Sequence, residues 1–81
     1  MQEIKVKVSK EFFNKFPHRK LSSIKLIPKT GYNYKHHLVV KETDAINNVL
    51  IGLVGSVSDK ELNGEVYISY EGEDEEVGTI V

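Results

Sequence analysis

Apolar and charged residues alternate from the start of the chain. Ile4, Val6 and Val8 are separated by Lys5 and Lys7, which predicts a strand over 2–8 with one buried and one cationic face. Ser9 then has the character of a helix N-cap, and Glu11 sits where the helix dipole favours an acid. A short helix over 10–16 would bury Phe12, Phe16 and Phe13, and Pro17 ends it. His18, Arg19 and Lys20 form a polar corner. Residues 23–27 read as a second strand closed by Pro28. Residues 29–33 read as a turn with Gly31 at positive φ, and 34–41 as a third strand. On that strand His36, Leu38 and Val40 share one face, and Lys35, His37, Val39 and Lys41 the other. The second and third strands are expected to form a hairpin.

The longest apolar run, Thr43 to Val57 (TDAINNVLIGLVGSV), fits two periods. As a helix it gathers Ala45, Ile46, Val49, Leu50, Leu53 and Val54 on one side, with Thr43 as N-cap and Gly55 just past the end. As a strand, 49–57 has the apolar, β-branched content of an element buried on both faces. The caps and the apolar arc favour the helix; the two glycines and the β-branched residues favour the strand. The helix is the expectation and the strand its alternative, with the Ala45/Val49/Leu53 side packed inward.

Ser58 and Glu61 have capping-box spacing, so 58–64 reads as one helical turn ending at Gly64. Residues 65–71 form the clearest strand, with Val66, Ile68 and Tyr70 opposite Tyr67 and Ser69. Residues 72–76 are an acidic turn, and 77–81 return as a short strand. The expected class is therefore α+β in a single domain. It has a mostly antiparallel sheet of four to five strands, a short N-terminal helix and a second helix at the centre. That order is the split βαβ of ferredoxin-like folds. With a central strand the expectation becomes a small curved barrel with a helix on one end.

Composition narrows the chemistry. The 81 residues contain no cysteine, which excludes disulfides, thiolate metal sites and a thiol nucleophile. The first residues lack the continuous apolar stretch of a signal peptide. The central run is too short, and too interrupted by Gly52 and Gly55, to span a bilayer. A cytoplasmic protein without a membrane partner is expected. The formal net charge of −1 hides a separation: residues 1–41 carry +8 and residues 42–81 carry −9.

No nucleophile–base–orienter spacing is present, so the chain is expected to be non-enzymatic and without a cofactor. His36 and His37 adjoin on a predicted strand and point to opposite faces, which argues against a shared metal ion. The basic half interleaves Lys25, Lys29, Arg19, Lys20 and Lys35 with Tyr32, Tyr34, His18 and His37. Cations for phosphate and rings for bases are what a single-stranded nucleic acid or nucleotide site uses. Gly31-Tyr32-Asn33-Tyr34 resembles the Gly-aromatic-x-aromatic core of the RNA-recognition motif's third-strand signature. It departs from that family at Thr30, Asn33, Lys35 and His37, and the first helix is much shorter than the family's.

The opposing expectation for the basic half is internal neutralisation, with Lys5, Lys7, Lys35 or Lys41 opposite Glu65, Glu71 or Glu73. Five acids among the six residues 71–76 repel one another and offer a phosphate-like surface to a basic groove. The preferred reading is thus a small inhibitor or sequestering protein, of the kind carried by phages and other mobile elements, that occupies a partner protein's surface. Its expected contact residues are Glu71, Glu73, Asp74, Glu75 and Glu76, with Tyr67 or Tyr70 as aromatic anchor. The alternative is a nucleic-acid or nucleotide binder using Arg19, Lys20, Tyr32, Tyr34, Lys35 and His37. Docking of the basic half onto the acidic half of another copy is a third expectation.

Overall fold

The alternating apolar rows seen in the sequence are the rows that meet in the core. The computed structural model describes residues 2–16, 21–27, 31, 33–70 and 74–81. Its strands are β1 (Gln2–Lys7), β2 (Leu21–Ile27), β3 (Tyr34–His36), β4 (Val39–Asp44), β5 (Val49–Val54), β6 (Glu65–Tyr70) and β7 (Glu76–Ile80). Two single-turn helices, α1 (Lys10–Phe13) and α2 (Asp59–Leu62), complete it. Every pairing is antiparallel, in the order β3-β2-β6-β7-β1-β5-β4. The α+β class holds, and the edge strands β3 and β4 do not pair with each other, so the barrel is not closed.

β7 joins the two halves. Its Glu76, Val77 and Gly78 pair with β6, whereas Thr79 and Ile80 pair with β1. Gly78 sits at the changeover. A Cβ there would lie 2.9 Å from Val6 Cγ1 and 3.3 Å from the Lys7 carbonyl oxygen, so only glycine lets the halves approach this closely. Between them lie Ile4, Val6 and Val8, Leu38, Leu50, Val54, Val66, Ile68 and Tyr70, with Phe12 of α1.

α1 begins as its sequence requires. The Ser9 hydroxyl accepts from the Phe12 N–H at 3.1 Å, and turns continue to Phe16 through Lys15 N–H to Phe12 O and Phe16 N–H to Phe13 O. The Phe12 ring stacks on Tyr70 with centroids 4.4 Å apart. At α2, Ser58 Oγ accepts from the Glu61 N–H, but the return half of the capping box is absent. The Glu61 carboxylate reaches His36 of β3 instead.

The central run corrects the helical expectation: residues 45–48 are a turn and Val49–Val54 is a strand. With two neighbours, β1 and β4, β5 satisfies its backbone on both sides. Its two-residue alternation buries Leu50, Gly52 and Val54 on the core side. Leu53 falls on the outer side, between Glu3 and Val39 in the register, and Ala45 is exposed. Of the expected Ala45/Val49/Leu53 inward side only Val49 is buried, at 6% exposure, and it lies outside the core cluster, so that side is not the core side. Leu50 and Val54 lie four apart and point inward in either conformation, which is why the two periods compete. Gly52 decides the packing: a Cβ would lie 2.5 Å from the Val39 carbonyl oxygen and 2.8 Å from Leu38 Cδ1. The split βαβ order is consequently not formed. The third expected strand divides into β3 and β4 at His37–Leu38, and Leu38 is buried at the corner.

Candidate functional site

The turn after β6 carries the acids. Glu71 and Glu73 lie outside the described residues, whereas Asp74 and Glu75 are exposed and Glu76 is half-buried. β6, before them, and β7, which begins at Glu76, are both interior strands of the sheet. The acids are partly compensated from within. Lys25 Nζ lies 3.4 Å from Glu75 Oε1, and the Ser9 hydroxyl donates to Glu76 Oε2 at 3.3 Å.

Tyr67 is half-buried on the outer face and its hydroxyl donates to the Glu65 carboxylate. That hydrogen bond and charge, with Glu75 nearby, hold the phenol above its ordinary pKa. Tyr70 cannot be a contact anchor. It is 1% exposed, and its hydroxyl donates to the Phe12 carbonyl at 3.2 Å. The two-residue alternation that brings Tyr67 out turns Tyr70 into the core.

The described residues of the basic half do not converge on one surface. Arg19, Lys20 and Tyr32 lie outside the described residues. Tyr34 packs against the core and Lys35 is exposed, because neighbours on a strand face opposite sides; His37 is exposed in the corner after β3. A different row forms instead, since Lys35 pairs with Lys25, and Lys25 with Tyr67, across β3, β2 and β6. Lys41 finds its acid within the basic half. Its Nζ is 2.7 Å from Glu3 Oε2, bridging over β5. This contact lowers the Glu3 pKa and raises that of Lys41.

One feature of the surface was not legible in the helical reading: the tip of the β4–β5 hairpin. Asp44 Oδ1 accepts from the N–H groups of Ile46 and Asn47 at 3.1 and 3.2 Å, and Asn47 Nδ2 donates to Asp44 Oδ2 at 2.8 Å. These bonds, the Asn47 side chain first, hold the Asp44 carboxyl below its ordinary pKa. Asn48 takes the left-handed φ of 56° and its carbonyl accepts from Val8 N–H at 3.0 Å. The sequence signal was Asp44 followed by Asn47-Asn48, the residues that form side-chain-closed turns and tolerate positive φ. The turn displays Ile46 at 92% exposure. Beside it, Lys5, Lys7, Asp44 and Asn47 rim a shallow cleft of about 310 Å³ over Val49 and Ile51.

At the opposite end, His36 Nε2 and Glu61 Oε2 lie 3.3 Å apart, close enough for an ion pair but off the hydrogen-bonding direction, and both atoms are out of solvent. The pair ties α2 to β3, and no hydroxyl among the described residues bonds to His36. Among the described residues no three potential metal ligands are gathered, and no helix is long and apolar enough to cross a membrane. No known protein family, curated protein or solved structure matches the chain.

Proposed function

We infer that the protein is a non-enzymatic binding protein that occupies the surface of a partner protein, acting as an inhibitor or sequestering factor. The observation that carries this reading is the exposure of Asp74 and Glu75 directly before β7, an interior strand of the sheet. Exposed charges beside a paired strand attract a basic groove at long range. The row Lys35–Lys25–Tyr67 favours single-stranded nucleic acid as a second reading. It is the weaker one, because Glu75 sits on Lys25 and Glu65 on Tyr67, where phosphate would be repelled.

Affinity capture from native cells, with and without nuclease, separates the two. Recovery of a protein regardless of nuclease supports the first; recovery that nuclease abolishes overturns it. With the captured protein in hand, the combined change Glu73→Gln, Asp74→Asn, Glu75→Gln should lower the association rate, more at low salt than at high. An unchanged rate at low salt would make the segment a solubilising turn.

A further inference from the structure

Exposed apolar side chains in the described strands have a local reason. Val39 and Val77 lie in β4 and β7, where β-branched residues suit the pleated backbone. Ile46 has no such reason. It stands in a turn, the element in which β-branching is least useful and polar residues are usual, and it is the most exposed of the large hydrophobics described. Its backbone is nevertheless held: Asp44 takes the Ile46 and Asn47 N–H groups, and Asn48 is tied to β1. A fixed apolar knob loses little entropy on entering a pocket, which is the character of an interface anchor.

Lys5 and Lys7 stand on β1 beside this knob, lining one cleft with Asn47 and Asp44. Both are exposed; Lys5 lends some charge to Glu3 and Asp44 without a direct ion pair among the described residues. The acidic turn is at the same end of the strands. Val8 bonds to Asn48 on one side of β1, and the next residue, Ser9, bonds to Glu76 on the other. Knob and acids therefore flank a single strand end.

We propose that the β4–β5 hairpin tip is the anchor of the binding surface: Ile46 enters an apolar socket of the partner protein, whose rim carries carboxylates that meet Lys5 and Lys7. This rests on the reading of the chain as a protein-binding module, and it assigns the two elements separate tasks. The acidic turn governs association, and the tip governs how long the complex lasts.

The test places the photo-crosslinking amino acid p-benzoylphenylalanine at position 46, at Asp74, or at Lys60 on α2 at the opposite end, in the full chain in its native cells. One protein crosslinked from 46 and 74 but not from 60, through a segment holding apolar and acidic residues at 46, is expected. Binding of that purified protein is then followed by surface plasmon resonance. Ile46→Ser should raise the dissociation rate about tenfold or more and change the association rate less than about twofold, as expected for loss of an anchor. Lys5→Gln with Lys7→Gln should weaken the salt dependence. Circular dichroism of Ile46→Ser should match the parent, since the side chain is outside the core. A partner captured from 74 alone, with an unchanged dissociation rate for Ile46→Ser, overturns the anchor and leaves the binding function standing. A crosslinked dimer of this chain, or a nucleic-acid adduct at 46, overturns the assigned partner. Failure to crosslink any protein from 46 or 74 overturns both readings.

Discussion

Truncating Leu50 and Leu53 separately reads out which side of β5 faces the core. Leu50 is fully buried between the two halves of the sheet, so Leu50→Ala removes its transfer energy and leaves a cavity, at about 2–5 kcal/mol. Leu53, three residues on, lies half-buried on the outer face beneath the Glu3–Lys41 ion pair. Its truncation opens to solvent and leaves no sealed void. About half of the transfer energy of three carbons, roughly 1 kcal/mol, is lost. A chain of this length has on the order of 4–12 kcal/mol of total stability at the usual 0.05–0.15 kcal/mol per residue. With a urea dependence of about 1 kcal/mol per molar, Leu50→Ala should lower the midpoint by about 2 M or more. Leu53→Ala should lower it by about 1 M. Equilibrium urea unfolding followed by tyrosine fluorescence and circular dichroism measures both. Equal losses, or a larger loss at Leu53, would refute the inward Leu50–Gly52–Val54 alternation and restore the helical side Ala45/Val49/Leu53.

Three other perturbations follow from the same contacts. Gly52→Ala puts a methyl group against a backbone carbonyl that cannot rotate away. It should cost about 1–3 kcal/mol or more; a thermal midpoint at the parent value would show that β4 is not packed there. Tyr70→Phe keeps the stack on Phe12 but removes one of the two donors to the Phe12 carbonyl, which retains the Lys15 N–H, at about 1 kcal/mol in urea unfolding; no change would argue that a solvent molecule takes the hydroxyl's place. The Asp44 carboxyl is lowered in the folded chain, so the stability it adds is present above the ordinary aspartate pKa and is lost as pH falls through the folded value. Amide NMR of Ile46 and Asn47 should therefore report loosening of the tip on acidification below about pH 4, and Asp44→Asn should abolish that titration. A titration that persists in Asp44→Asn would assign it to another carboxylate.

Much of the scaffold was local enough to read from residue order. The alternation of Ile4, Val6 and Val8, and of Val66, Ile68 and Tyr70, determined two strands and their buried sides, because a period of two needs no knowledge of the neighbour. Ser9 and Ser58 marked the two helical turns, because a hydroxyl capping the N–H three residues on is a local bond. Proximity of the acidic residues in sequence was equally visible, as was the split of charge between the halves.

Tertiary structure decided the rest. Leu50 and Val54 satisfy both a helical and a strand period, so residues 45–54 had no single local answer. The choice came from β1 and β4, which supply hydrogen bonds on both edges, and from the close approach of Val39 to Gly52. The same pairing made a turn of residues 45–48 and brought Ile46 to its tip. The continuous pattern over 34–41 also divided at His37–Leu38, because its two ends serve different halves of the sheet. Tyr34 and Tyr70 went inward and Tyr67 outward by register. Which charges meet was decided across strands distant in sequence: Lys41 with Glu3 and Lys25 with Glu75. Residue order determines which groups a segment offers; the long-range pairing of its backbone determines which of them face a partner.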